Sequence, residues 1–345
     1  QLSLFGKNDG EPIWSRTFTD TVLSVAISAD GHYVAAGVGN GNIYLYYASN
    51  GTAIWSYNSG YHGISALAFS TNGEYLVAGT QGDMIYLFGT ASESYLKWWQ
   101  VGDRIHSLDI TAGGKYIVAG SGDEYVYLLD RDNWTPRWSY RTGGSVASVA
   151  ISANNGQYIA AGSYDNKVYL IDRVSGEPLW GYNTGSGVRS VSITDNGDYL
   201  TATGFSDTVY LFENTGSSWP SSNSWSYSMG SNHDGTSVDI SADHKYVVAT
   251  TSGGEILLFL NNEPPSHTIN SIPSSPVRIG DELTFSGSGS DTDGDVYYMY
   301  KEGGRAQVIN KKDIEMSNIS YDIVKLLEEN EDSIFFMEKE FDPYF

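Results

Sequence analysis

The chain of 345 residues contains no cysteine. That single absence excludes disulfides, thiolate catalysis and cysteine-ligated zinc, and it leaves the compartment open. Basic residues are scarce: 19 Lys and Arg face 41 Asp and Glu, for a formal net charge of -22 and a pI near 4.4. Such a chain repels phosphate backbones and anionic membranes, so nucleic acid is not an expected partner. No apolar run approaches the roughly 18 residues that a spanning helix needs, and no membrane span is expected in this chain. The first residue is Gln1 rather than Met, as in a processed form or a fragment. The six histidines are scattered without HxH or HExxH spacing, which argues against a zinc site.

What the chain has in abundance is tyrosine, 26 in all, within an aromatic content of 14%. The stretch Ser148 to Gly185 shows how these residues are used. It holds four short apolar-alternating runs separated by Gly, Asn, Asp and Pro, the pattern of half-buried antiparallel strands joined by tight turns. We name them a to d: Val149 to Ser152, Tyr158 to Ala161, Val168 to Ile171, and a run centred on Trp180. A sheet of this kind cannot cover both of its faces, so it must stack on copies of itself.

The copies are present. The serine that opens strand a recurs as Ser24, Ser65, Ser107, Ser148, Ser190 and Ser237, at intervals of 41, 42, 41, 42 and 47 residues. Strand b recurs as HYVAAG, EYLVAG, KYIVAG, QYIAAG, DYLTAT and KYVVAT, and strand c as IYLY, IYLF, VYLL, VYLI, VYLF and ILLF. Strand d carries Trp14, Trp55, Trp98, Trp138, Trp180 and Trp225, each expected to dock its indole on the neighbouring repeat. Leu2 to Phe5 and Gly10 to Trp14 match strands c and d with no a or b before them, while the repeat at Ser237 meets Pro264-Pro265 where its strand d should lie. Two closures follow. Either the Trp14 strand completes the last sheet and gives six, or Leu2 to Phe18 is the remnant of a seventh.

The connection Asp172-Arg173-Val174-Ser175-Gly176-Glu177-Pro178-Leu179-Trp180 resembles the tryptophan-docking repeat of the quinoprotein-dehydrogenase-like propellers, and Ser24 to Gly37 resembles a WD40-type repeat. Over residues 1–262 the resemblance implies an all-β fold, a β-propeller of four-stranded antiparallel blades, and it says little about function. Quinoprotein dehydrogenases of this kind use a vicinal cysteine disulfide over the quinone and a channel Ca²⁺. The first is impossible here, and no unique Glu, Asn and Asp set stands out for the second, so redox catalysis and a bound cofactor are not expected.

Residues 263–300 begin with a proline-rich linker. From about Ser271 to Val296 they resemble the first half of a polycystic-kidney-disease-type immunoglobulin-like module, which implies a partial β-sandwich segment. Asp291, Asp293 and Asp295 lie there on alternate residues, a spacing that can place hard oxygen ligands around Ca²⁺. Residues 301–345 are a charged tail, with 17 Asp, Glu, Lys or Arg against 43 in the first 300 residues. Ser320 to Phe341 has Ile323, Leu326 and Leu327 at helical spacing and predicts a short amphipathic helix.

Function in such a chain belongs to positions that escape the repeat. Just before the strand-a serine these are Leu23, Ile64, His106, Ala147, Arg189 and Thr236, whose chemical variety on a fixed scaffold suits a partner face. Asp123, Asp165 and Asp207 in the b-to-c turns are read as holding those turns through backbone N–H bonds. The expected function is a non-enzymatic scaffold for a protein or glycan partner, secreted or at a microbial cell surface. A lyase or hydrolase with a site at the channel mouth, and a purely structural envelope protein, are the alternatives.

Overall fold

The computed structural model describes residues 1–6, 12–60, 62–152, 156–214, 219, 222–230 and 233–261, and the backbone of strands Tyr297–Glu302 and Arg305–Asn310. Every element among them is a β-strand. The chain divides into two compact units, Gln1–Glu255 and Ile256–Phe345.

The first unit is a β-propeller. Five four-stranded antiparallel sheets follow one another in chain order, each running a-b-c-d. Blade 4 is representative: Val146–Ile151, Tyr158–Ser163, Lys167–Asp172 and Pro178–Asn183. A sixth repeat begins with the antiparallel pair Gly235–Ile240 and Tyr246–Thr251, and its third strand, Ile256–Leu260, opens the second unit. At the N-terminus Leu2–Phe5 pairs with Pro12–Arg16 in a sheet of two. The Trp14 strand therefore belongs with Leu2–Phe5, and both N-terminal repeat matches are used, which is the seven-position arrangement with its first blade incomplete.

Strand b is buried almost throughout, because both of its faces meet neighbouring blades. In blade 4 Ile159, Ala160 and Ala161 are fully covered. Its glycine shows how close the blades come: a Cβ on Gly162 would lie 2.6 Å from a methyl of Val188 on the next strand a. The same logic explains an exception. Val25 and Ile27, on strand a of blade 1, are 58% and 56% exposed, whereas their counterparts Val149, Ile151, Val191 and Ile193 are buried. The preceding half-blade has only strands c and d, so nothing among the described residues covers that face.

The repeated serine ties the innermost strands together. Ser107 Oγ accepts the backbone N–H of Val149 at 3.1 Å, Ser148 that of Val191 at 3.1 Å, and Ser190 that of Val238 at 3.1 Å. Each bond crosses from one blade to the next, where no sheet ladder can reach. Ser148→Ala is therefore expected to cost about 1–3 kcal/mol, by orphaning the Val191 N–H. Urea midpoints followed by circular dichroism would show it, and an unchanged midpoint would mean that water replaces the hydroxyl.

The second unit contains a hairpin, Tyr297–Glu302 with Arg305–Asn310. The stretch from Ser271 to Val296 expected to resemble an immunoglobulin-like module, the Asp291, Asp293, Asp295 run and the helix expected over Ser320 to Phe341 lie outside the described residues.

Candidate functional site

The end of the propeller where strand d leads into the next strand a is a rim of short loops. It also carries the b-to-c turns. Strand a enters through a β-bulge in all six repeats, falling between Val22 and Ser24 in blade 1, between Ile105 and Ser107 in blade 3, and between Val188 and Ser190 in blade 5. A bulge adds an unpaired residue and re-aims its side chain. Leu23, His106, Ala147, Arg189 and Thr236 are those extra residues, and each is exposed or half-buried.

Ile64 is a correction. In blade 2 the bulge lies between Ile64 and Ala66, so the extra residue is Ser65. Ile64 is fully buried and occupies the position of Val22 and Ile105, beneath the rim. The serine that opens strand a elsewhere is Ala66 here, and Ser65 joins the rim in place of Ile64.

The aspartates of the b-to-c turns divide in the same way. Asp123 accepts the Gly102 N–H and the Tyr127 hydroxyl, each at 2.7 Å, and Asp165 accepts the Gly143 N–H at 2.7 Å and the Tyr169 hydroxyl. These bonds clamp one blade's turn to the loop before its strand a and stiffen the rim. Asp207 does not share this position. It sits one residue later, in the left-handed conformation also adopted by Glu124 and Asn166.

The docking tryptophans follow one rule with one exception. Trp14, Trp55 and Trp138 donate their indole N–H to the carbonyls of Ala48, Thr90 and Arg173, at 2.7, 3.0 and 2.8 Å, each acceptor lying just after strand c of the next blade. Trp180 packs edge-on against Phe212 with ring centroids 4.8 Å apart, and Trp225 is buried. Trp98, in contrast, is 50% exposed. It pairs with Tyr86, whereas Trp55, Trp138 and Trp180 pair with Leu45, Leu128 and Leu170. The position opposite Leu87 is filled by Lys97. Contact between blades 2 and 3 is made by Trp99, which packs on their shared core, and by Trp134 of blade 3, which is buried and donates its N–H to the carbonyl of Trp98.

One carboxylate is half-buried among the inner strands. Asp109 accepts the N–H of Ile151 on the next blade and that of Ile110, both at 2.8 Å. Burial raises its pKa to about 6, against the opposing effect of those two N–H groups, and Asp239 and Asp195 push it the same way as burial. Its bonded partners are backbone amides, an arrangement that fixes a strand rather than activates a nucleophile. At the rim, burial and the nearby Arg104 lower the pKa of His106. Among the described residues no group of three or more His, Asp or Glu is arranged to hold a metal ion.

Blades joined by indoles and a rim of divergent bulge residues define a repeat β-propeller of the WD40 and PQQ type. A WD domain, G-beta repeat model matches residues 11–46. The PQQ-type repeat model described as outer membrane protein assembly factor BamB matches residues 40–261, and the chain belongs to that family. Comparison with curated proteins gives no match. Among solved structures, a chain of the crystal structure of the mitotic checkpoint complex is similar, with a TM-score of 0.65 and 17% identity over 74% of this chain and 82% of that one. At that identity the likeness shows the fold alone. In all, 1932 chains of solved structures match, the breadth of a scaffold reused for many tasks, so fold likeness does not choose among functions.

Proposed function

We propose that the chain is a non-enzymatic scaffold whose rim of bulge residues holds a protein partner. The observation that carries this reading is the contrast between rim and wall. Five of the six bulge positions differ chemically from one another while the strands beneath repeat almost residue for residue, which is how a binding face is varied without disturbing its support. The family description names an assembly factor and the structural neighbour comes from a complex, and both fit a protein that works by holding others. We place it on or outside the cell, with the stretch before Val296 as an immunoglobulin-like spacer. Secretion of a full-length tagged form is the test of that placement.

The scaffold reading is tested by a photo-crosslinking amino acid placed at Ala147 or Thr236 on the rim, and at Asp198 or Asp243 at the opposite end. Discrete adducts from the rim positions alone are expected, and Arg189→Ala with His106→Ala should lower their yield about tenfold. The free energy of unfolding should change by no more than about 0.5 kcal/mol. Adducts arising equally from both ends would end the proposal.

A further inference from the structure

Two large aromatic side chains stand exposed on the rim: Tyr164 at 45% and Phe205 at 41%. They occupy the same place in successive b-to-c turns, where the other blades have Gly39, Gln81, Gly122 and Ser252. The backbone at this place is anchored each time. The N–H of Tyr164 bonds the carbonyl of Ser145 at 2.9 Å and that of Phe205 the carbonyl of Gly187 at 3.0 Å. A rigid turn thus presents a ring that the fold does not need. The two ring centroids are 5.8 Å apart. Both rings lie against Gly187, where a Cβ would come 3.0 Å from Phe205 and 3.3 Å from Tyr164, so the glycine lets them form a continuous surface.

The patch already binds a cation internally. The guanidinium carbon of Arg189 lies 3.8 Å from the centroid of Phe205, and Asp234 stands 3.6 Å from that guanidinium. Tyr164 has no such cation among the described contacts. The turns that carry the rings are rich in carboxylates: Asp165 and Asp207 lie in them, Lys167 follows Asp165, and Asp234 is paired with Arg189, on a chain of net charge -22. Aromatic faces attract cations through their quadrupole, and carboxylates beside them add to that attraction.

We infer that the rim over blades 4 to 6 docks a basic segment of a partner protein, with an arginine or lysine of that segment resting on the exposed Tyr164 ring. The inference rests on the scaffold reading and narrows it to one quadrant and one charge. Tyr164 is the central anchor, Phe205 and Arg189 hold it in place, and the acidic rim steers the approach.

The experiment uses the full chain and three fluorescein-labelled nine-residue peptides, of repeating Gly-Ser-Arg, Gly-Ser-Lys and Gly-Ser-Glu, with anisotropy as the readout. The arginine peptide is expected to bind most tightly and to weaken as salt rises from about 50 to about 200 mM. Tyr164→Ala and Tyr164→Leu should each weaken it about fivefold or more, while Tyr164→Phe, which keeps the ring, should not. Asp243→Asn at the opposite end controls for diffuse charge and should change binding less than twofold. Thermal melts of each variant confirm folding. Undetectable binding of the arginine peptide at about 1 mM, or equal effects of Tyr164→Ala and Asp243→Asn, would overturn the inference. If the glutamate peptide were the one sensitive to Tyr164, the rim would stand as a docking face and the basic partner would fall. Sensitivity confined to the opposite end would remove both.

Discussion

Trp55→Ala is expected to destabilise the propeller by about 3–5 kcal/mol, while Trp98→Ala, at the equivalent repeat position, should cost less than about 1 kcal/mol. Trp55 is buried, its ring centroid lies 5.3 Å from that of Phe88, and its N–H is bonded inside the interface between blades 1 and 2. Removing it opens a cavity and leaves the Thr90 carbonyl without its donor. Trp98 is half exposed and faces the other way, so its loss takes little from the core. Trp134→Ala should resemble Trp55→Ala, because Trp134 makes the contact that Trp98 does not. Repeat arrays can unfold in parts, so midpoints and slopes should be compared by far-ultraviolet circular dichroism, which tryptophan removal does not blind. Equal costs for Trp55 and Trp98 would refute the assignment of blade contacts.

The one-residue displacement of Trp98 is legible in the sequence. From the central leucine of strand c to the tryptophan is ten residues at Leu4, Leu45, Leu128 and Leu170, but eleven at Leu87. Lys97 holds the ten-residue position, and because strand side chains alternate, a tryptophan one residue later points to the opposite face. The misplacement of Ile64 has the same origin. Matching Ser65 to Ser24 aligned residue types, whereas the ladder aligns Ala66 with Ser24 by pairing each with a strand-b glycine, Gly79 or Gly37. Periodicity reports which residues are extended and how often the unit recurs. It does not report a bulge, since an inserted residue leaves the apolar count unchanged.

The rim was legible in outline only. Divergence from the repeat pointed to the bulge positions, yet Tyr164 and Phe205 were visible by the same test, as rings where other turns carry small or polar residues. Their neighbourhood is a tertiary fact, because Gly187, Arg189 and Asp234 reach them from separate loops. The partial burial of Asp109 was hidden for a different reason. Strand a of blade 3 places a carboxylate where other blades have Ala26, Ala68, Ala150 or Ser192, and blade 6 repeats it as Asp239. Only the neighbouring strand shows that this position lies against another blade's backbone.

That carboxylate gives the stability of the propeller a pH dependence of unusual sign. An aspartate whose folded pKa is raised binds its proton more tightly in the native state than in the unfolded chain. Its contribution is therefore most favourable below the unfolded value, near 3.8, and is lost as pH rises through about 6. The loss amounts to roughly 3 kcal/mol at neutral pH as an upper bound. Asp132 and Asp243 have lowered values, through hydrogen bonds from Lys115 and Ser241 respectively, and act in the opposite sense at lower pH. They are common to wild type and variant, so the difference between the two isolates Asp109. Asp109→Asn keeps one oxygen acceptor for the two N–H groups and adds a constant penalty, but it carries no charge at any pH. Relative to that variant, the wild type should lose stability steadily between about pH 4 and pH 7 and level off above, as read from urea midpoints at each pH. A difference that stays flat across this window would mean that the Asp109 carboxylate is solvated well enough to ionise at its ordinary value. The strand-to-strand bond at Ile151 would then hold the blades without charging them for burial.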